Sequence, residues 1–229
     1  FATNEDSAVT LSGLSVSDVD AGTGSVTVTL SVGSGSLTAG SSSDVTVSGS
    51  ASTTLTLSGT VANINSFLSG AGKPVFAPAT DASGSVTLTM TSSDGSATDV
   101  DTSTITVAAV NDAPVRTAGS LTAVSVAEDS ANATAVSLGL TSLAYAPGGG
   151  SDENTQTLTY TISAIPNFIE VYDGDTKVSV NGTVTATALQ RLTYKTLANA
   201  NGTGNISITV TDSGSSTNPN VSTFTENLS

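Results

Sequence analysis

Carboxylates are the side chains in this sequence that gather in a chemically useful pattern. Glu5-Asp6 open the chain, Asp18-Val19-Asp20 stand ahead of an apolar alternation, and Asp94, Asp99 and Asp101 fall close together. Asn111-Asp112 follow, and Glu128-Asp129, Asp152-Glu153-Asn154 and Asp212 come later at matching places. Hard oxygen donors brought in from several loops suit calcium, which takes six to eight oxygens at about 2.3–2.6 Å. Without a cation, carboxylates at that range repel one another and raise one another's pKa values. A single Asp-x-Asp is a weak signal, because surface carboxylates also keep proteins soluble. The recurrence of the whole set is what points to Ca2+.

Other chemistry is poorly supplied. The chain has no histidine and no cysteine, so the commonest general base, the usual nucleophilic triads, thiolate metal sites and disulfides are all excluded. Paired carboxylates of the glycosidase kind exist at Glu170, Asp173 and Asp175. They sit in one strand-turn, Phe168 to Asp175, which reads more simply as a hairpin with a solvated tip. We expect no catalytic residues and no enzyme. Nineteen acidic residues against five basic ones give a net charge of −14, which repels nucleic acid and anionic membrane surfaces. No apolar run approaches the roughly 20 residues of a membrane span. The chain opens on Phe1 and shows no signal peptide, so the expectation is an excised fragment of a longer protein.

The loops that carry these carboxylates must be held by strands. Val26, Val28, Leu30 and Val32 alternate with hydroxyl residues, and the same period of two returns at Thr53–Leu57, Ser85–Met90, Thr104–Val107, Thr157–Ile162 and Ile206–Val210. Such alternation belongs to antiparallel sheets with one face on a core and one in water. Asp94-Gly95, Asp173-Gly174, Asn181-Gly182 and Asn201-Gly202 supply turns. Two segments break the period: Val61–Leu68 and Thr187–Leu192 have helical spacing and are each expected to form a single turn crossing between sheets.

The chain also repeats itself. Asn4-Glu5-Asp6-Ser7 returns as Ala127-Glu128-Asp129-Ser130, 123 positions between the glutamates, and Ser85–Thr91 returns as Asn205–Thr211, shifted by 120. Phe76 aligns with Tyr194 and Gly84 with Gly202, Asp20 with Asp152, and Leu143–Gly150 is extra in the second copy, expected as a mobile loop. A domain-sized repeat with frequent turns predicts two tandem β-sandwiches, residues 1–112 and 113–229.

Glu-Asp-Ser near the start, Asp18-Val19-Asp20 before the second strand, Ser58-Gly59-Thr60-Val61-Ala62 followed by Val75-Phe76-Ala77-Pro78, and Val110-Asn111-Asp112-Ala113-Pro114-Val115 at the boundary carry a likeness. The chain resembles the bacterial cadherin-like repeats of giant secreted adhesins, including those of the RTX and VCBS type, over nearly its whole length. The resemblance implies an all-β fold of two immunoglobulin/cadherin-like antiparallel sandwiches, an extracellular or cell-surface location, and calcium at the joint of successive modules. Carried over by position, Glu5, Asn111 and Asp112 meet Asp152 and Asp212 at the complete junction. Asp18, Asp20 and Asp94 form the pole at the start of the chain, and Glu128 awaits a further module. Gly150 stands where Asp18 has its counterpart, so the junction loses one carboxylate or takes Glu153 in its place. The implied function is a non-catalytic, calcium-stiffened spacer, monomeric as a fragment, whose partners are neighbouring repeats of the same chain. Its rival is an extracellular carbohydrate-binding module for a polysaccharide or cell-surface ligand. That reading needs exposed aromatic faces; there is no tryptophan, and Tyr145 and Tyr172 are the candidates outside strand cores.

Overall fold

The computed structural model describes residues 1–129 and 134–229. Ser130, the last residue of the second Glu-Asp-Ser motif, lies outside the described residues. The protein is all-β, with two short helices and several sheets. It divides into two compact units, Phe1–Val110 with Gly150–Asp152, and Asn111–Gly149 with Glu153–Ser229. The expected boundary after Asp112 therefore falls after Val110. The reason is local: Asn111 N–H donates to Asn220 Oδ1 at 2.7 Å, Val221 N–H donates to the Asn111 carbonyl at 2.7 Å, and Asp112 N–H donates to Glu153 Oε1 at 2.6 Å.

The first unit comprises β1 (Ala2–Asn4), β2 (Val9–Thr10), β3 (Val26–Val32), β4 (Ser36–Thr38), β5 (Thr46–Ser48), β6 (Thr54–Gly59), α1 (Val61–Ser69), β7 (Val75–Ala77), β8 (Gly84–Ser93) and β9 (Thr98–Ala108). A six-stranded sheet runs β1-β9-β8-β3-β6-β5, and a three-stranded sheet runs β2-β7-β4. All pairs are antiparallel except β1, which lies parallel to the end of β9. Period-two burial of Val26, Val28, Leu30 and Val32 meets Leu37 and Phe76 from the smaller sheet in one core. The helix is longer than the single turn expected. The Thr60 side chain caps it by accepting from Asn63 N–H, and Ile64, Phe67 and Leu68 are buried, so apolar burial propagates it through nine residues.

The second unit comprises β10 (Val115–Ala118), β11 (Val136–Ser137), β12 (Ala144–Ala146), β13 (Thr159–Ala164), β14 (Ile169–Asp173), β15 (Thr176–Val178), β16 (Gly182–Val184), α2 (Ala186–Gln190), β17 (Thr193–Thr196), β18 (Ile206–Thr211) and β19 (Thr223–Leu228). Its sheets are β11-β17-β14-β15, β16-β13-β18-β19 and the pair β10-β12. Ile162, Val171, Leu189, Tyr194, Ile208 and Val210 form its core. The extra segment Leu143–Gly150, expected as a mobile loop, instead supplies β12, which pairs antiparallel with β10. Tyr145 at its centre packs on Tyr160 and Phe224, ring centroids 5.9 and 6.3 Å away, and that anchoring orders it. Among the described residues no helix is long and apolar enough to cross a membrane.

Candidate metal centre

In the first unit, the loop before β3 and the β8–β9 hairpin bring Asp18, Asp20 and Asp94 together, with a carboxylate oxygen from each within 4.8 Å of the others. Each loop is bent by its own aspartate. Asp18 Oδ1 accepts the N–H groups of Asp20 at 3.1 Å and Ala21 at 2.9 Å, and Asp94 Oδ1 accepts those of Ser96 and Ala97, both at 2.8 Å. These turns are the reason aspartate precedes the bend in both places. The Ala21 N–H, then a hydrogen bond with Asp20, hold the Asp18 carboxyl below its usual range, and the same side-chain bond pushes Asp20 up. The Ala97 and Ser96 N–H groups lower Asp94. Carboxylates this close bias each other's ionisation, and a cation among them would neutralise that repulsion. Asp99 borders the adjoining cleft of about 130 Å³.

The opening motif of the first unit is built differently. Glu5 is only 2 % exposed, and its Oε1 accepts the Val110 N–H at 2.5 Å. Asp6 and Asp81 both adopt left-handed backbone, φ 56° and 52°, and Asp81 N–H donates to Asp6 Oδ1 at 3.2 Å. Sequence reasoning passed over Asp81. The signal was present: the offset of 118 that matches Phe76 to Tyr194 also matches Asp81 to Asn199. In the second unit Asn199 N–H donates to Asp129 Oδ1 at 2.9 Å, both residues again left-handed.

The second unit gathers Asn111, Asp112, Glu153 and Asp212. Asp212 leaves β18 at the position that Asp94 takes after β8, and its Oδ1 accepts Gly214 N–H at 2.8 Å and Asn111 Nδ2 at 3.0 Å. Asn111 Oδ1 in turn accepts from Gln156 Nε2 at 2.5 Å, a residue that sequence reasoning did not single out. Asn111, Glu153 and Asp212 are all buried, at 7, 1 and 6 % exposure. Asp212 Oδ2 is buried and has no hydrogen-bond partner among the described residues. Glycine keeps this region open. A Cβ on Gly149 would lie 2.7 Å from Glu153 Oε2 and 3.0 Å from Asp112 Oδ2, and one on Gly214 would lie 1.7 Å from Asn111 Oδ1. Gly149 thus leaves free a place that two carboxylate oxygens face. Gly150, which replaces the counterpart of Asp18, has no room for a side chain, since its Cβ would lie 2.0 Å from the Asp81 carbonyl oxygen. Asp152 is exposed and groups with the first unit, apart from the set that its neighbour Glu153 joins.

Burying an ionised carboxylate is costly unless positive charge or several donors meet it. The donor set in both units is made of carboxylate and amide oxygens, which is hard-cation chemistry. A divalent cation fits Asp18, Asp20 and Asp94 in the first unit; in the second, Asn111 meets Asp212 and Asp112 meets Glu153 in two separate contacts joined through the adjacent connector residues.

No family model and no curated protein matches this chain. Solved structures similar to it include the endo-fucoidan hydrolase MfFcnA9 of glycoside hydrolase family 107, 15 % identical with a TM-score of 0.24, and the endo-fucoidan hydrolase MfFcnA4 of the same family, 18 % identical with a TM-score of 0.22. They cover 83 and 86 % of this chain, which spans only 26 and 22 % of theirs. At these TM-scores the likeness carries no argument about this chain.

Proposed function

We propose that this chain is a non-catalytic, calcium-binding extender segment of a large extracellular bacterial adhesin, built of two immunoglobulin/cadherin-like sandwiches. The observation that supports the reading is the buried acidic character of the second unit, above all Asp212, whose second oxygen is buried without a hydrogen bond among the described residues. Bound calcium would supply the missing positive charge and fix the connector residues Asn111 and Asp112 to the loops that carry Glu153 and Asp212. The chain's own residues hold the oxygens in place through the Asp112 and Gly214 N–H bonds. Stiffening of that connector is the mechanical work of a spacer that holds a distant binding domain away from a cell surface.

The carbohydrate-binding alternative gains less support. The Tyr145 ring is half-buried against Tyr160 and Phe224, and its hydroxyl donates to Glu226. Lys195 stands over the Tyr172 ring, 5.1 Å from its centroid. Calorimetric titration with calcium, repeated on Asp212→Asn, tests the proposal. Saturable binding weakened at least tenfold by the substitution supports it, and absence of binding at millimolar calcium removes it.

A further inference from the structure

The first unit carries a polar cleft of about 220 Å³ beside α1, away from its acidic loops. Asn63, Ser66 and Gly70 line it at helical spacing, next to the buried stripe of Ile64, Phe67 and Leu68. One flank of the helix thus serves the core and the next serves the cleft. Ser41, Ser42 and Asp44, from the loop between β4 and β5, form another wall. The walls are tied together: Gly40 N–H donates to the Gly72 carbonyl at 3.0 Å, and Asn63 Nδ2 donates to the Asp44 carbonyl at 3.4 Å. A Cβ on Gly40 would lie 2.9 Å from Gly72 Cα, and one on Gly72 would lie 2.8 Å from the Phe67 ring. Glycine therefore lets the two loops close on each other and on that ring.

The second unit lacks both segments that build this place. β14 pairs with β17 as β4 pairs with β7. Yet residues 174–175 alone connect β14 to β15, whereas residues 39–45 separate β4 from β5. The helices start alike, each capped by a threonine side chain at Thr60 or Thr185, but α2 covers five residues and α1 nine. The second unit closes its core without the longer loop or the added helical turn, so the fold itself does not demand them. Together they make the cleft.

Its chemistry is selective. The Asp44 carboxylate and Asn63 Oδ1 have no hydrogen-bond partner among the described residues. Ser42 Oγ accepts the Asp44 N–H at 3.1 Å and keeps its own proton to donate. Ser41 and Ser66 add hydroxyls that both donate and accept. No basic group stands among the described residues that line the cleft, so an anion finds no partner there and meets Asp44. A carboxylate accepts at two oxygens, which suits two neighbouring hydroxyls on one ring. We propose that this cleft is a subsite for a single neutral sugar ring, with Asp44 accepting from adjacent hydroxyls and Asn63 and Ser66 fixing a third. Tyr145 and Tyr172 take no part. The cleft is smaller than the pockets of about 300–1,000 Å³ that hold drug-sized ligands, which limits it to one ring and to binding of about millimolar strength. None of its residues belongs to the acidic sets, so the sugar subsite and the calcium reading stand or fall separately.

The test titrates the methyl glycosides of glucose, galactose, mannose and N-acetylglucosamine, one at a time, into the isotopically labelled chain and follows amide resonances. The proposal expects saturable shifts from at least one of them, confined to residues 40–44 and 63–72. Asp44→Asn, at an exposed position, should weaken that binding at least tenfold. Ser66→Phe, at an exposed position of α1, should fill the cleft and abolish binding. Unchanged melting temperatures confirm that the variants fold, and where one does not the other serves. Methyl glucuronide, which brings a negative charge beside Asp44, should bind at least tenfold more weakly than methyl glucoside. Lack of saturation by every glycoside at tens of millimolar overturns the proposal. Shifts centred on Tyr145 or Tyr172, undiminished binding by Ser66→Phe, or equal binding of the glucuronide overturn it as well.

Discussion

Asp94 and Asp212 are one device in two settings. Each follows the long strand at the centre of its unit's sheet and turns the chain by accepting an N–H two residues on. Asp94 is partly exposed and shares its loop cluster with Asp18 and Asp20. Asp212 is 6 % exposed and is covered by the Asn111 amide. The difference lies in the connector: Asn111 and Asp112 fold as part of the second unit, and they convert an open acidic loop into a buried one. A cation should therefore be held more tightly, and matter more to stability, in the second unit than in the first.

The largest effect is expected from Asp212→Ala. Loss of the carboxylate leaves the Gly214 N–H without its acceptor and the Asn111 amide with only its bond to the Val221 carbonyl, at about 1–3 kcal/mol for a buried group left unsatisfied. The isosteric Asp212→Asn should reverse sign with conditions. In chelator it removes a buried charge and is neutral or stabilising; in calcium it is destabilising. Chemical denaturation in both buffers measures this, and equal effects in both would break the comparison.

Gly214→Ala comes next. Its Cβ would lie 1.7 Å from Asn111 Oδ1, so the Asn111–Asp212 contact must open, at about 1–3 kcal/mol for overpacking. Loss of calcium affinity should accompany it. Asp94→Ala, in the open setting, should cost only the loss of one local turn, less than either change in the second unit, and should leave the tighter calcium phase of a titration unchanged.

Much of the strand framework was legible because period-two burial decides which residues face a core, as at Val26–Val32 and Ile206–Thr211. The aspartate turns were legible too, since Asp-Gly and Asp-Val-Asp state their local chemistry. The pairing of β12 with β10 was not. Ala144–Ala146 has a weak strand pattern and is ordered by packing of Tyr145 on residues distant in sequence. Asp81 and Gln156 were missed for a related reason: each is placed by a partner far along the chain, Asp6 and Asn111 respectively. The extra length of α1 was set by burial of Phe67 and Leu68 rather than by propensity.

The smallest effect is expected on the outer face of β14, away from both acidic sets. A hydrogen bond from Arg191 holds the Asp173 carboxyl below its usual range. A carboxylate lowered on folding stabilises above its unfolded pKa, here 3.8, and loses that contribution as pH falls through the folded value. Arg191→Ala should thus be slightly less stable than the parent at neutral pH and converge on it in acid below the folded pKa of Asp173. Because the pair is exposed, the gap should be small and should shrink further in high salt. A gap that widened in acid would contradict this assignment.

The central claim is tested most directly by melting the intact chain in 10 mM calcium and in chelator, with magnesium as the control. Extracellular calcium modules bind at about 0.1–1 mM, and a ligand at a hundredfold excess over its Kd stabilises by about 2.7 kcal/mol. The account predicts a transition several degrees higher in calcium, with the gain lost in Asp212→Asn and largely kept in Asp94→Ala. Superimposable curves in calcium and chelator would contradict it.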